Sequence, residues 1–205
     1  FIGILAFNLE GHIRPFETAV AEYLKPAEVA EFDSGLDLID VIYVINLDER
    51  VEKWKRMQKL FSERNLRCNR FSAINGWKFS EEDKARLAGP YYKALKGGKI
   101  GCTLSHVSVV KDAYDRGFEI VWICEDDIEF VDDEKKIPEL IASLTEIDPG
   151  WDILFTDFDM KGPNGEANKN FNDDYRPDQE YFPLENYIER IAVSEDLVQI
   201  RQRYG

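Results

Sequence analysis

The sequence indicates an α/β domain in which helices flank a central, mostly parallel β-sheet. Apolar strands alternate with amphipathic helices along the chain, which is the pattern typical of this class. The length of 205 residues suits one main domain. Hydrophobic residues make up 44% of the chain and aromatic residues 13%, enough to build a buried core. We therefore expect a globular domain.

Four stretches are predicted to be strands. The first is VIYVIN at 41–46, a continuous run of β-branched and aromatic residues. The others are RCNRFSA at 67–73, EIVWIC at 119–124 and WDILFTD at 151–157. These strands are separated by predicted helices, which argues for a largely parallel central sheet.

Helical periodicity fills the intervals between these strands. Apolar residues recur at helical spacing from Glu49 to Arg64, and Ser80 with Asp83 resembles a capping box that opens a short helix to Ala88. The glycine-containing stretch 89–99 is predicted to be a loop. The remaining predictions are a helix from Cys102 to a C-cap at Gly117, with Leu104, Val107, Val110 and Tyr114 facing inward, and a polar helix from Glu134 to Leu144.

The two ends of the chain differ from this alternating region. Residues 1–40 are predicted to be an N-terminal extension with one helix, which Pro15 begins and Lys25-Pro26 ends. The opening FIGILAF is too short to cross a membrane. The main domain is assigned to 41–205, where 160–183 has the composition of a long surface loop.

Charge and cysteine content exclude some classes of partner. A formal net charge of -14 repels phosphate backbones, so nucleic acid is not expected as a partner. The three cysteines have no CxxC spacing, and each lies in an apolar context where a free thiol packs as a small hydrophobe. This usage favours a reducing compartment.

The stretch VWICEDDIEF at 121–130 ends an apolar strand with Glu125, Asp126 and Asp127. Ligands of open α/β sheets bind beyond the carboxyl ends of the strands, and carboxylate oxygens suit Mg²⁺ or Mn²⁺. Unless the chain turns there, strand alternation would place Glu125 and Asp127 on one side and Asp126 on the other, which favours Asp127 as the direct metal ligand with Glu125 in support. The alternative is a solvated acidic loop.

Three blocks together resemble the motifs of glycosyltransferase family 25, which includes lipooligosaccharide and collagen galactosyltransferases. They are VINLDERVEKWKRM at 44–57, GKIGCTLSHVSVV at 98–110 and VWICEDDIEF at 121–130. The resemblance implies a GT-A-like, Rossmann-type fold and an inverting transfer of a hexose, commonly galactose, from a UDP-sugar, with Mn²⁺ or Mg²⁺ on the acidic triplet. The family usually has an arginine where this chain has Lys53, and it usually continues past the end of this chain.

Residues near the strand ends are the candidates for donor binding. Arg50, Lys53 and Arg56 recur every three residues near the first turns of a helix, where a diphosphate can meet cations and backbone N–H groups. The alternative is a solvated helix face. The full donor-binding set is Asn46, Arg50, Arg56, Ser105, His106, Glu125 and Asp126. Asn46 could equally cap the following helix, and His106 could equally be a structural histidine.

An inverting transfer also needs a base for the acceptor hydroxyl. Asp157 and Asp159 follow the strand WDILFTD and share one face if the chain is extended there, although either could instead cap or solvate the loop. The expected acceptor is a glycan, a lipooligosaccharide or a protein hydroxyl, and the expected location is the cytoplasm or the inner face of the membrane. A magnesium-dependent phosphohydrolase and a degenerate transferase fold that acts as a binding or scaffold module are the alternatives.

Overall fold

The computed structural model describes residues 3–6, 20–28, 30, 32–89, 92–93, 95–156, 190–192 and 197–200. The central sheet has five strands: β1 (Gly3–Ala6), β2 (Val41–Asn46), β3 (Asn69–Ser72), β4 (Ile120–Glu125) and β5 (Ile153–Phe155). Four helices accompany it: α1 (Val51–Ser62), α2 (Glu81–Ala88), α3 (Gly97–Arg116) and α4 (Ile137–Ile147). A separate antiparallel pair consists of β6 (Arg190–Ala192) and β7 (Val198–Ile200).

The sheet order is β3-β2-β4-β1-β5. Strand β2 pairs in parallel with both β3 and β4, whereas β1 runs antiparallel to β4 and β5. Four of the five strands therefore point in one direction. This arrangement confirms the predicted α/β class and its mostly parallel sheet.

Alternating side chains of β2 and β4 bury both faces of the sheet. On one face, Ile42, Val44 and Trp122 pack in a cluster with Met57 of α1 and Ile141 of α4. The opposite face carries a second cluster, formed by Val41, Tyr43, Ile45, Phe71, Val121, Ile123, Val109 and Ala113. Because helices cover both faces, the apolar runs of these strands are continuous rather than alternating.

Several helix boundaries agree with the sequence pattern. Ser80 and Asp83 form the expected capping box at the start of α2. Helix α3 ends at Gly117 in the left-handed conformation, with φ of 73°, as predicted for a C-cap glycine. Its start was predicted wrongly, because Gly97 and Gly98 lie inside its first turn rather than in a loop.

The inward face of α3 is also different from the prediction. Leu104 is buried as expected and Val110 is half-buried against the core, but the other buried positions include Ser105, Ser108, Asp112 and Ala113 rather than Val107 and Tyr114. The buried polar side chains are hydrogen-bonded, for example Ser108 Oγ to the Leu104 carbonyl oxygen at 2.7 Å. An apolar periodicity cannot reveal a helix face that is built partly from satisfied polar groups.

The N-terminal forty residues contribute to the same sheet. Strand β1 inserts between β4 and β5, with Gly3 opposite Ile123 and Phe155. A 3₁₀ turn at Ala21–Tyr23 lies within the range of the predicted helix; the described part of that range, from Val20 onward, has no α-helix, so the prediction is wrong there, and the rest of the range lies outside the described residues. Among the described helices, none is both long and apolar enough to cross a membrane.

Candidate functional site

The carboxyl ends of β2 and β4 lie side by side, with Ile45 opposite Glu125 in the register. Asn46 comes directly after Ile45 and Asp126 directly after Glu125, so these two side chains lie close together. Asn46 Nδ2 donates to Asp126 Oδ2 at 2.8 Å. Asn46 Nδ2 also donates to the Arg50 carbonyl oxygen at 3.1 Å, and Asn46 Oδ1 accepts from Arg70 Nε at 2.8 Å. Asn46 is thus a buried residue that is hydrogen-bonded to an acidic side chain, to the N-cap residue of α1 and to a neighbouring arginine.

Two cations of the α1 region neutralise the acidic turn. Lys53 Nζ lies 3.2 Å from Asp126 Oδ1 and 3.0 Å from Asp127 Oδ2, so one ammonium group bridges both carboxylates. Arg50 Nη1 lies 3.5 Å from Asp126 Oδ1. The hydrogen bond to Asp127 is the main reason that the pKa of Lys53 is raised. Asp126 is buried, whereas the Asp127 side chain is 62% exposed and open to a ligand.

The three carboxylates do not alternate as an extended strand would require. Strand β4 ends at Glu125, and the chain turns at Asp126 and Asp127. As a result, Asp126 and Asp127 share Lys53, whereas Glu125 faces α3. The expectation that Glu125 and Asp127 point the same way therefore fails, because the two-residue alternation holds only where the backbone stays extended.

Glu125 belongs to a second cluster, with Cys102 and His106 of α3. His106 Nε2 lies 3.3 Å from Glu125 Oε1, and Cys102 Sγ lies 3.8 Å from the same oxygen. These three side chains form a group that could hold a metal ion, since their ligand atoms all lie within 4.8 Å of one another. The surrounding protein and the nearby Glu125 carboxylate raise the pKa of the Cys102 thiol.

The prediction that all three cysteines are packed in apolar surroundings is wrong for Cys102. It was predicted to pack as a small hydrophobe, as the buried Cys124 does, but the residue is exposed. The signal for its role was its position four residues before His106, which puts both side chains on one side of the helix. Its partner Glu125 is close only because α3 packs beside β4, which sequence spacing does not show.

Two other candidates have their polar groups occupied within the protein. Ser105 is buried; its hydroxyl accepts from the Ile74 N–H at 2.8 Å and donates to the Gly101 carbonyl oxygen at 2.7 Å. Arg56 Nη2 donates to the Ile128 carbonyl oxygen and to Glu129, each at 3.1 Å. In this structure Ser105 connects the segment after β3 to α3, and Arg56 contacts the loop that follows the acidic turn. Asp157 and Asp159 lie outside the described residues.

Sequence analysis missed several polar residues at the same edge of the sheet. Arg70 on β3 donates to Asp48 at 2.7 Å, and this hydrogen bond lowers the pKa of Asp48. Glu49 pairs with Lys78 at 2.9 Å, next to the exposed indole of Trp77. Asp48 and Glu49 follow the end of β2, and Trp77 and Lys78 follow β3, so the rule that ligands bind beyond strand ends could have found them.

Three glycines position the turn that carries Trp77. A Cβ atom on Gly76 would lie 2.0 Å from the Gly97 carbonyl oxygen, and one on Gly101 would lie 2.3 Å from the Ile74 carbonyl oxygen. The turn after β3 therefore packs backbone to backbone against the first turns of α3, which only glycine permits. This contact also fixes the helix turns that bear Cys102 and His106.

These features define a class of protein. A mostly parallel sheet, flanked by helices and carrying charged side chains at the carboxyl ends of its strands, is consistent with the GT-A-like glycosyltransferase fold. The family profile described as glycosyltransferase family 25 (LPS biosynthesis protein) matches residues 39–163, which include β2 through β5. The chain belongs to glycosyltransferase family 25.

Similar curated proteins carry related names. Procollagen galactosyltransferase 1 of Danio rerio is 24% identical over 151 residues, which cover 69% of this chain and 24% of that protein. A glycosyltransferase 25 family member of Drosophila melanogaster is 33% identical over 118 residues, covering 53% and 19%. The human inactive glycosyltransferase 25 family member 3 is 25% identical over 138 residues, covering 62% and 23%. The chain spans about a quarter or less of the length of these relatives.

Proposed function

We propose that this chain is the donor-binding part of a glycosyltransferase that moves a hexose from a UDP-sugar to a hydroxyl acceptor with inversion. Galactose is the proposed hexose, because relatives in the same family are named galactosyltransferases. The observation that carries the proposal is the contact of Asn46, Arg50 and Lys53 with the acidic turn that follows β4. It brings cations and an open carboxylate together where α/β sheets bind ligands.

In this proposal, residues of α1 bind the donor diphosphate. Arg50 lies at the N-terminus of α1, where backbone N–H groups and the helix dipole favour a negative group. The side chains of Arg50 and Lys53 are 50% and 38% exposed, so each can reach a ligand while it faces Asp126. Arg56, Ser105 and His106 remain proposed donor contacts. For Ser105 this requires its present hydrogen bonds to open.

Mn²⁺ or Mg²⁺ is the proposed cofactor, and the residues fit it in part. Asp127 is a hard oxygen donor that is open to solvent, as such an ion requires. Glu125, expected in support, instead contacts His106, and an ion at Asp127 would compete with the Lys53 ammonium. When bound, the ion would neutralise charge on the departing UDP. Lys53, released from Asp127, would then be free to contact the diphosphate.

Asp157 is the proposed base that takes the proton of the acceptor hydroxyl, with Asp159 as the alternative. Both acids follow the last strand of the main sheet, which ends at Phe155. The acceptor is proposed to be a glycan, a lipooligosaccharide or a protein hydroxyl. This choice follows the family description, which refers to LPS biosynthesis, and the procollagen galactosyltransferases among the relatives. The cytoplasmic or membrane-surface location stays a prediction.

The experiment is an assay of UDP release from UDP-galactose with Mn²⁺, run with and without a lipooligosaccharide or a procollagen-derived acceptor. We expect release that depends on an acceptor, and a loss of about 10²-fold in kcat for Asp157→Asn with unchanged UDP affinity. Equal release without acceptor would indicate a phosphohydrolase instead. An unaffected Asp157→Asn variant would move the base to Asp159 or to another part of the protein.

A binding module is the second candidate function, and two observations favour it. Lys53 already lies between the two carboxylates that would face the donor, and one relative is named inactive. In that case UDP or a UDP-sugar would bind without being consumed, with or without an acceptor. Binding without turnover across the acceptors tested would therefore favour the module over the enzyme.

A further inference from the structure

Cys102, His106 and Glu125 form a cluster that the proposed donor chemistry does not need in full. Cys102 and His106 lie one helical turn apart on α3, and Glu125 is the last residue of β4. The core fixes the two elements relative to each other, because Val109 and Ala113 of α3 pack in one cluster with residues of β4. The three side chains are thus held together by packing rather than by a flexible loop.

The two separations that involve Glu125 Oε1 are close to those of a tetrahedral metal centre, and all three ligand atoms lie within 4.8 Å of one another. Bonds of about 2.0 Å to nitrogen and oxygen and about 2.3 Å to sulfur give edges of about 3.3 Å between N and O and about 3.5 Å between S and O. The cluster has 3.3 Å between His106 Nε2 and Glu125 Oε1, and 3.8 Å between Cys102 Sγ and the same oxygen. A shift of a few tenths of an ångström in the sulfur position would complete this part of the geometry.

The donor atoms select a particular class of ion. A thiolate and an imidazole favour Zn²⁺ and similar borderline metals, whereas Mg²⁺ and Mn²⁺ prefer sites made of oxygen. Three protein ligands with an exposed cysteine at the rim leave a fourth position for water or a ligand. The acidic turn has the opposite character, since its open ligand is the Asp127 carboxylate alone.

We propose that Cys102, His106 and Glu125 bind a zinc-class divalent ion at a site chemically distinct from the donor-side carboxylate Asp127. The proposal goes beyond the glycosyltransferase function and does not depend on it, because the ligands and their geometry are independent of any nucleotide. It also accounts for the separation of Glu125 from Asp126 and Asp127. Glu125 faces α3, where its oxygen joins sulfur and nitrogen donors.

The test uses Co²⁺ as a spectroscopic probe of the metal-free full chain, in the absence of nucleotide. We expect one Co²⁺ per chain, with the thiolate-to-cobalt charge-transfer band and the d–d bands of a tetrahedral site. Cys102→Ser should lose the charge-transfer band, and Glu125→Gln should weaken binding by at least about tenfold. Cys68→Ser is the matched control, since Cys68 is another free thiol outside the cluster, and it should keep the full spectrum.

Several outcomes would overturn the site. They are a charge-transfer band that survives in Cys102→Ser, displacement of Co²⁺ by a modest excess of Mg²⁺, and no calorimetric binding of Zn²⁺ at micromolar concentration. The calorimetric experiment needs only the unmodified chain, so it decides the matter even if a variant fails to fold. Because UDP is absent from every arm, failure of the metal site is distinguishable from failure of the proposed transferase.

Discussion

Lys53 offsets the repulsion between the two carboxylates of the acidic turn, Asp126 and Asp127. In a chain with a formal net charge of -14, Asp126 and Asp127 would repel each other and any diphosphate unless a cation lay nearby. Lys53 supplies that cation, with Arg50 as a second. Lysine presents a single ammonium group to both carboxylates, whereas the planar fork of an arginine would meet them differently.

Asp127 and Asp126 should respond in opposite ways to the same substitution. Asp127→Asn removes an exposed carboxylate, so we expect transfer to be lost and the melting temperature to stay nearly unchanged. Asp126→Asn removes a buried charge that faces Asn46, Lys53 and Arg50, and it should lower the free energy of unfolding by about 2 kcal/mol. Thermal melts and the UDP-release assay on both variants check this. Full activity in Asp127→Asn would contradict the metal-site hypothesis and favour the alternative, a solvated acidic loop.

At the scale of single residues, the sequence predicted which side chains lie at the strand ends better than what each of them contacts. The carboxyl ends of β2 and β4 do carry polar side chains, since the apolar strands end there in Asn46 and Glu125, and their role in ligand binding stays a prediction. The division of the acidic triplet between α1 and α3 was not predicted. It depends on the turn at Asp126, and a single sequence does not show where a strand stops being extended.

At the scale of elements, buried strands and capped helices were the predictable parts. Strand β2 matches its predicted bounds because VIYVIN is apolar throughout, and α2 begins at a capping box whose side chains are local in sequence. Strand β1 was missed, since four residues offer little periodicity and its partners are more than a hundred residues away. The start of α3 was missed because Gly97 and Gly98 usually indicate a loop, whereas here Gly97 packs against Gly76.

Helix α3 is anchored to the sheet by a buried carboxylate. Asp112 accepts hydrogen bonds from the Tyr43 hydroxyl at 2.9 Å, from Arg116 Nε at 2.7 Å and from the Ala27 N–H at 3.0 Å. The group therefore connects α3 with β2 and with the N-terminal segment. Burial and the contact with Asp112 raise the pKa of Tyr43, so its hydroxyl stays protonated and continues to donate.

Replacing Asp112 measures how much this buried carboxylate contributes to the free energy of unfolding. Asp112→Ala leaves the Tyr43 hydroxyl and Arg116 without their acceptor, and it should lower the free energy of unfolding by about 3 kcal/mol. The control is Asp115→Ala on the same helix, whose exposed pair with Lys111 should contribute less than about 0.5 kcal/mol. Denaturant titration of both variants measures the difference. Equal losses would mean that α3 is held by its apolar contacts alone.

At the scale of the whole molecule, the fold places several charged side chains at the carboxyl-terminal edge of the parallel strands. Strands β2, β3 and β4 point the same way, so their ends bring together residues that are far apart in sequence, such as Lys53 and Asp127 or His106 and Glu125. The result is two neighbouring clusters with different donor chemistry: carboxylates with cations beside α1, and sulfur, nitrogen and oxygen donors beside α3. The family profile spans both clusters.

The central claim is that the acidic turn after β4 is a metal-assisted site for a UDP-sugar. Calorimetric titration of UDP into the chain, in Mn²⁺ and in EDTA, tests it most directly. We predict binding in Mn²⁺ that weakens by at least about tenfold in EDTA, because the diphosphate then meets Asp126 and Asp127 without the added ion. Equal affinity in the two buffers, or no binding of UDP in either, would contradict the claim.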